Sequence, residues 1–144
     1  MTAVAFHLQV PDKLAYTCRL LRKAVARNST LVVTGAAHTL EQVNQDLWTF
    51  SATDFVPHCV DQAADRVLHW SPVVLTETPN SVGLKNILIN LREDVPDGFE
   101  KFERVIEIVS PDDVDRQHAR RRWKHYANAG FTPTKYDIDQ RVAA

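Results

Sequence analysis

Residues 30–36 read TLVVTGA, and this short run decides the fold. Thr30, Val32, Val33 and Thr34 are β-branched and Leu31 is apolar, with no alternation between wet and dry positions. That is the pattern of a strand covered on both faces, which belongs to a parallel sheet flanked by helices. On its N-terminal side, Leu14, Cys18, Leu21 and Val25 recur at helical spacing, and Asp12 after Pro11 is placed to cap a helix running to about Arg27. Before that helix, residues 3–10 predict a strand with Val4, Phe6 and Leu8 on one face. On the C-terminal side, Thr39 and Gln42 have capping-box spacing for a short helix with Leu40, Val43 and Leu47 inward. Strand, helix, strand, helix predicts an α/β chain with right-handed crossovers. The expected architecture is a three-layer α/β/α arrangement around a mostly parallel, Rossmann-like sheet.

Farther along, residues 67–70, 87–91 and 102–109 read as strands, and 73–76 as an extra edge strand. No helix separates the strands at 67–70 and 87–91, which predicts mixed pairing at one edge. Pro57 excludes 55–58 from a central strand because proline lacks the ladder donor. The last helix is announced by Ser110 at the N-cap, Pro111 at the first position and Asp113 after them. Asp112, Asp113 and Asp115 complement the positive end of its dipole, and Gly130 stops it. Residues 1–144 read as one domain, with 131–144 as a C-terminal tail that frays or packs as an extended arm.

Length and composition suit a single hydrophobic core. No apolar run is long enough to span a bilayer, and no export signal is evident at the N-terminus. Cys18 and Cys59 lack metal-ligand spacing and are too few for a disulfide scaffold, so a reducing cytoplasm is the expected setting. Net charge is −1, but it is unevenly placed: residues 111–144 hold seven basic and five acidic side chains. Any acidic partner is therefore expected at the last helix.

On that helix, Ala119, Trp123, Tyr126, Ala127 and Gly130 share one arc. Arg116, Arg120 and Lys124, spaced by four, form a stripe along its edge. Gln117, His118, Arg121, His125 and Asn128 face away. The basic stripe suits a ligand that carries a carboxylate beside an apolar group, because arginine grips a carboxylate bidentately. By spacing alone, a solvated helix face is the simpler reading. Phosphate contact with nucleic acid is weaker still, for want of a basic balance and an aromatic platform. Trp48, Phe50, Phe55, Val56, Pro57 and His58 fall where helical periodicity has stopped. They form either a satellite core or a protein-docking patch, and composition supports both equally.

Enzyme readings find little footing. A nucleotide-binding enzyme on a Rossmann-like sheet is the alternative the opening suggests. Yet residues 34–39 contain one glycine and neither phosphate-binding signature. The six histidines show no ligand clustering, and no nucleophile elbow or acid–base pair is present. Cys59 beside His58 reads as structural. No cofactor or metal is called for.

Two stretches carry a family resemblance. Leu47-Trp48 followed by Phe55-Val56-Pro57-His58, and residues 120–131 (RRRWKHYANAGF), resemble the DNA polymerase III chi subunit family. The resemblance implies an α/β/α fold, no catalytic activity, and a role as accessory subunit of the clamp-loader complex. It implies two partners: the acidic C-terminal tail of single-stranded DNA-binding protein, and the psi subunit or an equivalent clamp-loader protein. Carried over onto this chain, the tail-binding positions are Val109, Arg116, Arg120, Trp123 and Lys124. Arg120 would take the terminal carboxylate, and Val109 with Trp123 the aromatic ring. The psi-facing positions are Trp48 and Phe55, flanked by Val56, Pro57 and His58. Trp123 stands where the family pattern has tyrosine and Arg116 where it has lysine. The 71–86 loop is longer than in familiar members. Little direct nucleic-acid binding and no membrane association are expected.

Overall fold

The computed structural model describes residues 2–49, 58–60, 72–79 and 86–138. In chain order these form β1 (Ala3–Leu8), α1 (Lys13–Ala26), β2 (Leu31–Thr34), α2 (Ala37–Thr49), β3 (His58–Val60), β4 (Val73–Leu75) and β5 (Ile87–Asn90). A 3-10 turn (Phe99–Lys101), β6 (Arg104–Ile108), α3 (Asp113–Asn128) and β7 (Thr134–Asp137) follow. The strands join in one sheet, in the order β3-β4-β2-β5-β6-β1-β7.

The fold is the three-layer α/β arrangement that the sequence predicts, with two differences in strand pairing. Every pairing among the described residues is parallel, including those of both outer strands, so the expected mixed edge is absent there. The segment 67–70 lies outside the described residues. Residues 73–75 are also not an edge: β4 is fully buried between β2 and β3. A three-residue strand directly after Pro57 leaves too short a pattern to be read from sequence.

β2 is central, as its unbroken apolar run requires, and all four of its residues are buried. Register explains the packing. Val4, Val105, Leu88, Val32 and Val74 are successive partners across five strands, and they form one dry row on the face that α3 covers. Leu31, Val33 and their neighbours line the other face under α1 and α2. Each such side chain contributes about 1.5–3 kcal/mol on burial. Among the described residues no helix is long and apolar enough to cross a membrane.

α1 begins as expected: the Asp12 carboxylate accepts from the Ala15 N–H, and Cys18 and Leu21 are buried. α2 starts earlier than Thr39, because the Leu40 N–H already donates to the Ala36 carbonyl at 3.0 Å. Its inward residues Leu40, Val43 and Leu47 are nevertheless those expected. The turn before it is tight: a Cβ on Gly35 would stand 3.2 Å from the Leu91 Cβ.

On the α1 face, β7 is tied in by an aromatic cluster. The His7 ring lies 5.7 Å from that of Tyr16 and 5.2 Å from that of Tyr136, and its Nδ1 is 2.6 Å from the Tyr16 hydroxyl. Burial, with help from the Arg104 charge, lowers the His7 pKa to about 4. The folded chain therefore resists protonation that the unfolded chain accepts below about 6.5. Stability should fall as pH drops from about 6.5 to 4 and then level off, by about 1–2 kcal/mol once partial exposure is discounted. Urea unfolding across that window checks this. A His7→Phe variant that keeps the full slope would rule the imidazole out as its source.

Candidate functional site

α3 is set in place from three directions. Its cap is Asp112, not Ser110: the Asp112 carboxylate accepts from the Asp115 N–H at 3.2 Å, and regular helix begins at Asp113. The Ser110 N–H and hydroxyl are otherwise engaged, both donating to Asp115 Oδ2 at 2.8 and 3.0 Å. Burial opposes ionisation of Asp115. The Ser110 donors and Lys13 outweigh that, and hold the carboxyl below its usual range. At the other end Gly130 takes φ +94°, and its N–H and that of Phe131 reach back to the Ala127 and Tyr126 carbonyls. This is the stop expected of a glycine in the left-handed region.

The third anchor was not visible in the sequence reading. Arg122, in the middle of the basic run, is 2% exposed, and its Nε donates to Glu107 Oε1 at 2.8 Å. Glu107, fully buried on β6, also accepts from Tyr126 Oη at 2.7 Å and Asn90 Nδ2 at 2.9 Å. Burial pushes the Glu107 carboxyl upward, while Arg122, Asn90 and Tyr126 each favour the anion. Burial and the Glu107 charge raise the Tyr126 phenol. Helical spacing puts Arg122 on the buried arc, three residues after Ala119 and four before Tyr126, but only a buried countercharge makes burial of a guanidinium tolerable, and that countercharge comes from β6. The arc otherwise holds: Ala119 and Tyr126 are buried and Trp123 half-buried, but Ala127 is exposed.

With this face pinned, Arg116, Arg120 and Lys124 project along the seam between α3 and the sheet. They border a groove of about 460 Å³. Phe6, Leu8, Val109 and Ala119 floor it, Trp123 forms a wall, and Lys135 enters from β7. The five residues singled out in the last strand and helix, Val109, Arg116, Arg120, Trp123 and Lys124, thus surround one cavity. Phe6, Leu8, Ala119 and Lys135 join them. Trp123 is held by Phe6, with ring centroids 5.1 Å apart. Arg116 has a loose ion pair with Asp113 at 3.9 Å, whereas Arg120 and Lys124 form none among the described residues. Among the described residues no carboxylate lines the groove. Chemically it can hold an anionic group on its rim and an apolar ring against its floor.

A second depression, beside the opposite face of α3, mixes Glu93 and Asp94 with His118, Arg121 and His125, and has no single-sign preference. No set of metal-ligating side chains occurs among the described residues.

Trp48 closes α2 and is 62% exposed, which is unusual for so large an apolar side chain. Phe55, Val56 and Pro57 lie outside the described residues, and His58 opens β3 at the sheet edge. The structure therefore describes Trp48 of that patch but not its assembly.

The chain is 29% identical over 138 residues to DNA polymerase III subunit chi of Pseudomonas aeruginosa, covering 91% of this chain and 93% of that protein. It is 33% identical over 91 residues to the Escherichia coli subunit, and 26% identical over 91 residues to that of Haemophilus influenzae. Those matches span 62% of this chain, and 60% and 62% of the respective relatives. Among solved structures, the C-terminal domain of S. cerevisiae Dbp5, bound to Gle1 and IP6, superposes with a TM-score of 0.61 over 95% of this chain and 91% of that one. At 10% identity this is a likeness of fold alone. The family described as "DNA polymerase III chi subunit, HolC" matches residues 1–134, and the chain belongs to that family.

Proposed function

We propose that this chain is a non-catalytic adaptor whose groove binds the acidic C-terminal tail of single-stranded DNA-binding protein. One observation carries the reading: the groove has a cationic rim over an apolar floor, with no carboxylate in its lining among the described residues. A peptide end that couples a free carboxylate to an aromatic ring matches both parts. In this reading Arg120 takes the terminal carboxylate, Arg116 and Lys124 flank it, and Val109 with Trp123 receives the ring. The exposed Trp48, with Phe55, Val56, Pro57 and His58, is the surface proposed for psi or an equivalent clamp-loader protein, since large exposed aromatics serve as interface anchors. An adaptor with two such surfaces acts by raising effective concentration, holding a clamp loader close to coated single strands.

The nucleotide-binding alternative has no comparable support, because the turn at Gly35 is packed against Leu91, Thr39 and Leu40.

Titration with a peptide copying an acidic tail tests the proposal. Binding is expected to weaken with salt, as rim contacts do. Amidating the peptide's terminus should weaken it about tenfold, through loss of a charge-assisted hydrogen bond. Equal affinity for the free-acid and amidated peptides would remove Arg120 from its assigned role.

A further inference from the structure

β7 supplies a wall of the groove that the last helix alone does not reveal. Lys135 pairs in register with Phe6. Register partners on neighbouring strands point to the same face, so Lys135 leaves the sheet on the α3 side. Its Nζ lies 5.8 Å from the Trp123 ring centroid, and it lines the same groove as the arginine row. Lys135 is exposed and, among the described residues, forms no ion pair. An ammonium resting on an accessible aromatic face is only weakly held, and a lysine stem reorients easily.

Arg116, Arg120 and Lys124 succeed one another along α3 at one-turn intervals, so a single carboxylate engages only part of the row. With Arg120 occupied by a chain end, Lys124 on α3 and Lys135 on β7 still line the groove, and neither forms an ion pair among the described residues. Trp123 lies beside both. Two like charges brought to one apolar groove from different elements favour a ligand that brings further negative charge.

We propose that Lys135 and Lys124 form a two-walled clamp for acidic side chains preceding the partner's terminal aromatic residue. Lys135 is the specificity-determining member, because it makes the groove read charge upstream of the chain end as well as the chain end itself. This rests on the tail-binding reading above.

The test uses the full chain and two short peptides with the same free aromatic C-terminus. One carries acidic residues upstream, and the other carries Asn and Gln in their place. Lys135→Met keeps an apolar stem over Trp123 but removes the charge. It is expected to weaken the acidic peptide roughly threefold to fivefold, the upper range for an accessible ion pair, to leave the neutral peptide unchanged, and to flatten the salt dependence. Lys135→Arg should bind as wild type does. If Lys135→Met leaves the acidic peptide unchanged, or weakens both peptides equally, the clamp is wrong while tail binding stands. If wild type binds neither peptide, the tail-binding reading fails and takes the clamp with it.

Discussion

Arg122→Ala is expected to lower the unfolding free energy by about 3–5 kcal/mol, the range for removing one partner of a buried ion pair. The cost lies less in losing the 2.8 Å contact with Glu107 than in what remains. Glu107 would keep its Asn90 and Tyr126 donors but would be a buried anion without a countercharge. The Arg122 Nη1 bond to the Glu93 carbonyl, at 3.0 Å, would go as well, freeing the 93–95 turn from α3. Glu107→Ala should cost a similar amount, for it strands the guanidinium instead. Replacing Glu107 and Arg122 together by leucine should cost much less than the two alanine variants combined, since no charge is left unpaired. Urea denaturation of the two alanine variants and of the double leucine variant measures this directly. Additive losses, or single variants within about 0.5 kcal/mol of wild type, would show that the pair does not anchor α3.

Arg120→Ala is expected to leave stability almost untouched and to weaken the acidic tail peptide by about 1.5–3 kcal/mol, the range for a hydrogen bond to a charged group. Arg120 is exposed, pairs with no carboxylate among the described residues, and sits at the centre of the row between Arg116 and Lys124. Arg116→Ala should cost less, because its guanidinium is shared with Asp113. Arg120→Lys should recover only part of the loss, since an ammonium lacks the planar fork that grips a carboxylate at two points. Calorimetric titration reads these differences, with urea unfolding as the control for intact structure. Equal losses for Arg116, Arg120 and Lys124 would mean that the rim acts as a diffuse field rather than through one guanidinium.

The contrast between Arg120 and Arg122 shows where a sequence reading stops. They lie two positions apart in one basic run, so composition treats them alike. A turn of about 200° around the helix axis separates them, placing one on the groove rim and the other in the core. The face assignments that succeeded, Cys18 and Leu21 in α1 or Leu40, Val43 and Leu47 in α2, rest on apolar residues whose burial needs no partner. Arg122 needed Glu107, fifteen residues away on another element, and no local pattern encodes that. The N-cap of α3 shows the same limit on a smaller scale. Ser110 has the right chemistry to cap, but Asp115 claims its donors and Asp112 takes the cap.

By itself, the sequence determined the three helices and the strands β1, β2, β4, β5 and β6, the inward faces of α1 and α2, the burial of β2 on both faces, the stop at Gly130 and the basic row on the last helix. All of these follow from neighbours within about four positions, where periodicity and backbone preference act. The tertiary structure alone decided the strand order, the parallel outer strands, the burial of Glu107 with Arg122, and the second wall of the groove at Lys135. Each of those depends on a hydrogen-bond register or a charge pairing between segments far apart in the chain, and such pairings form only when the whole core closes around them.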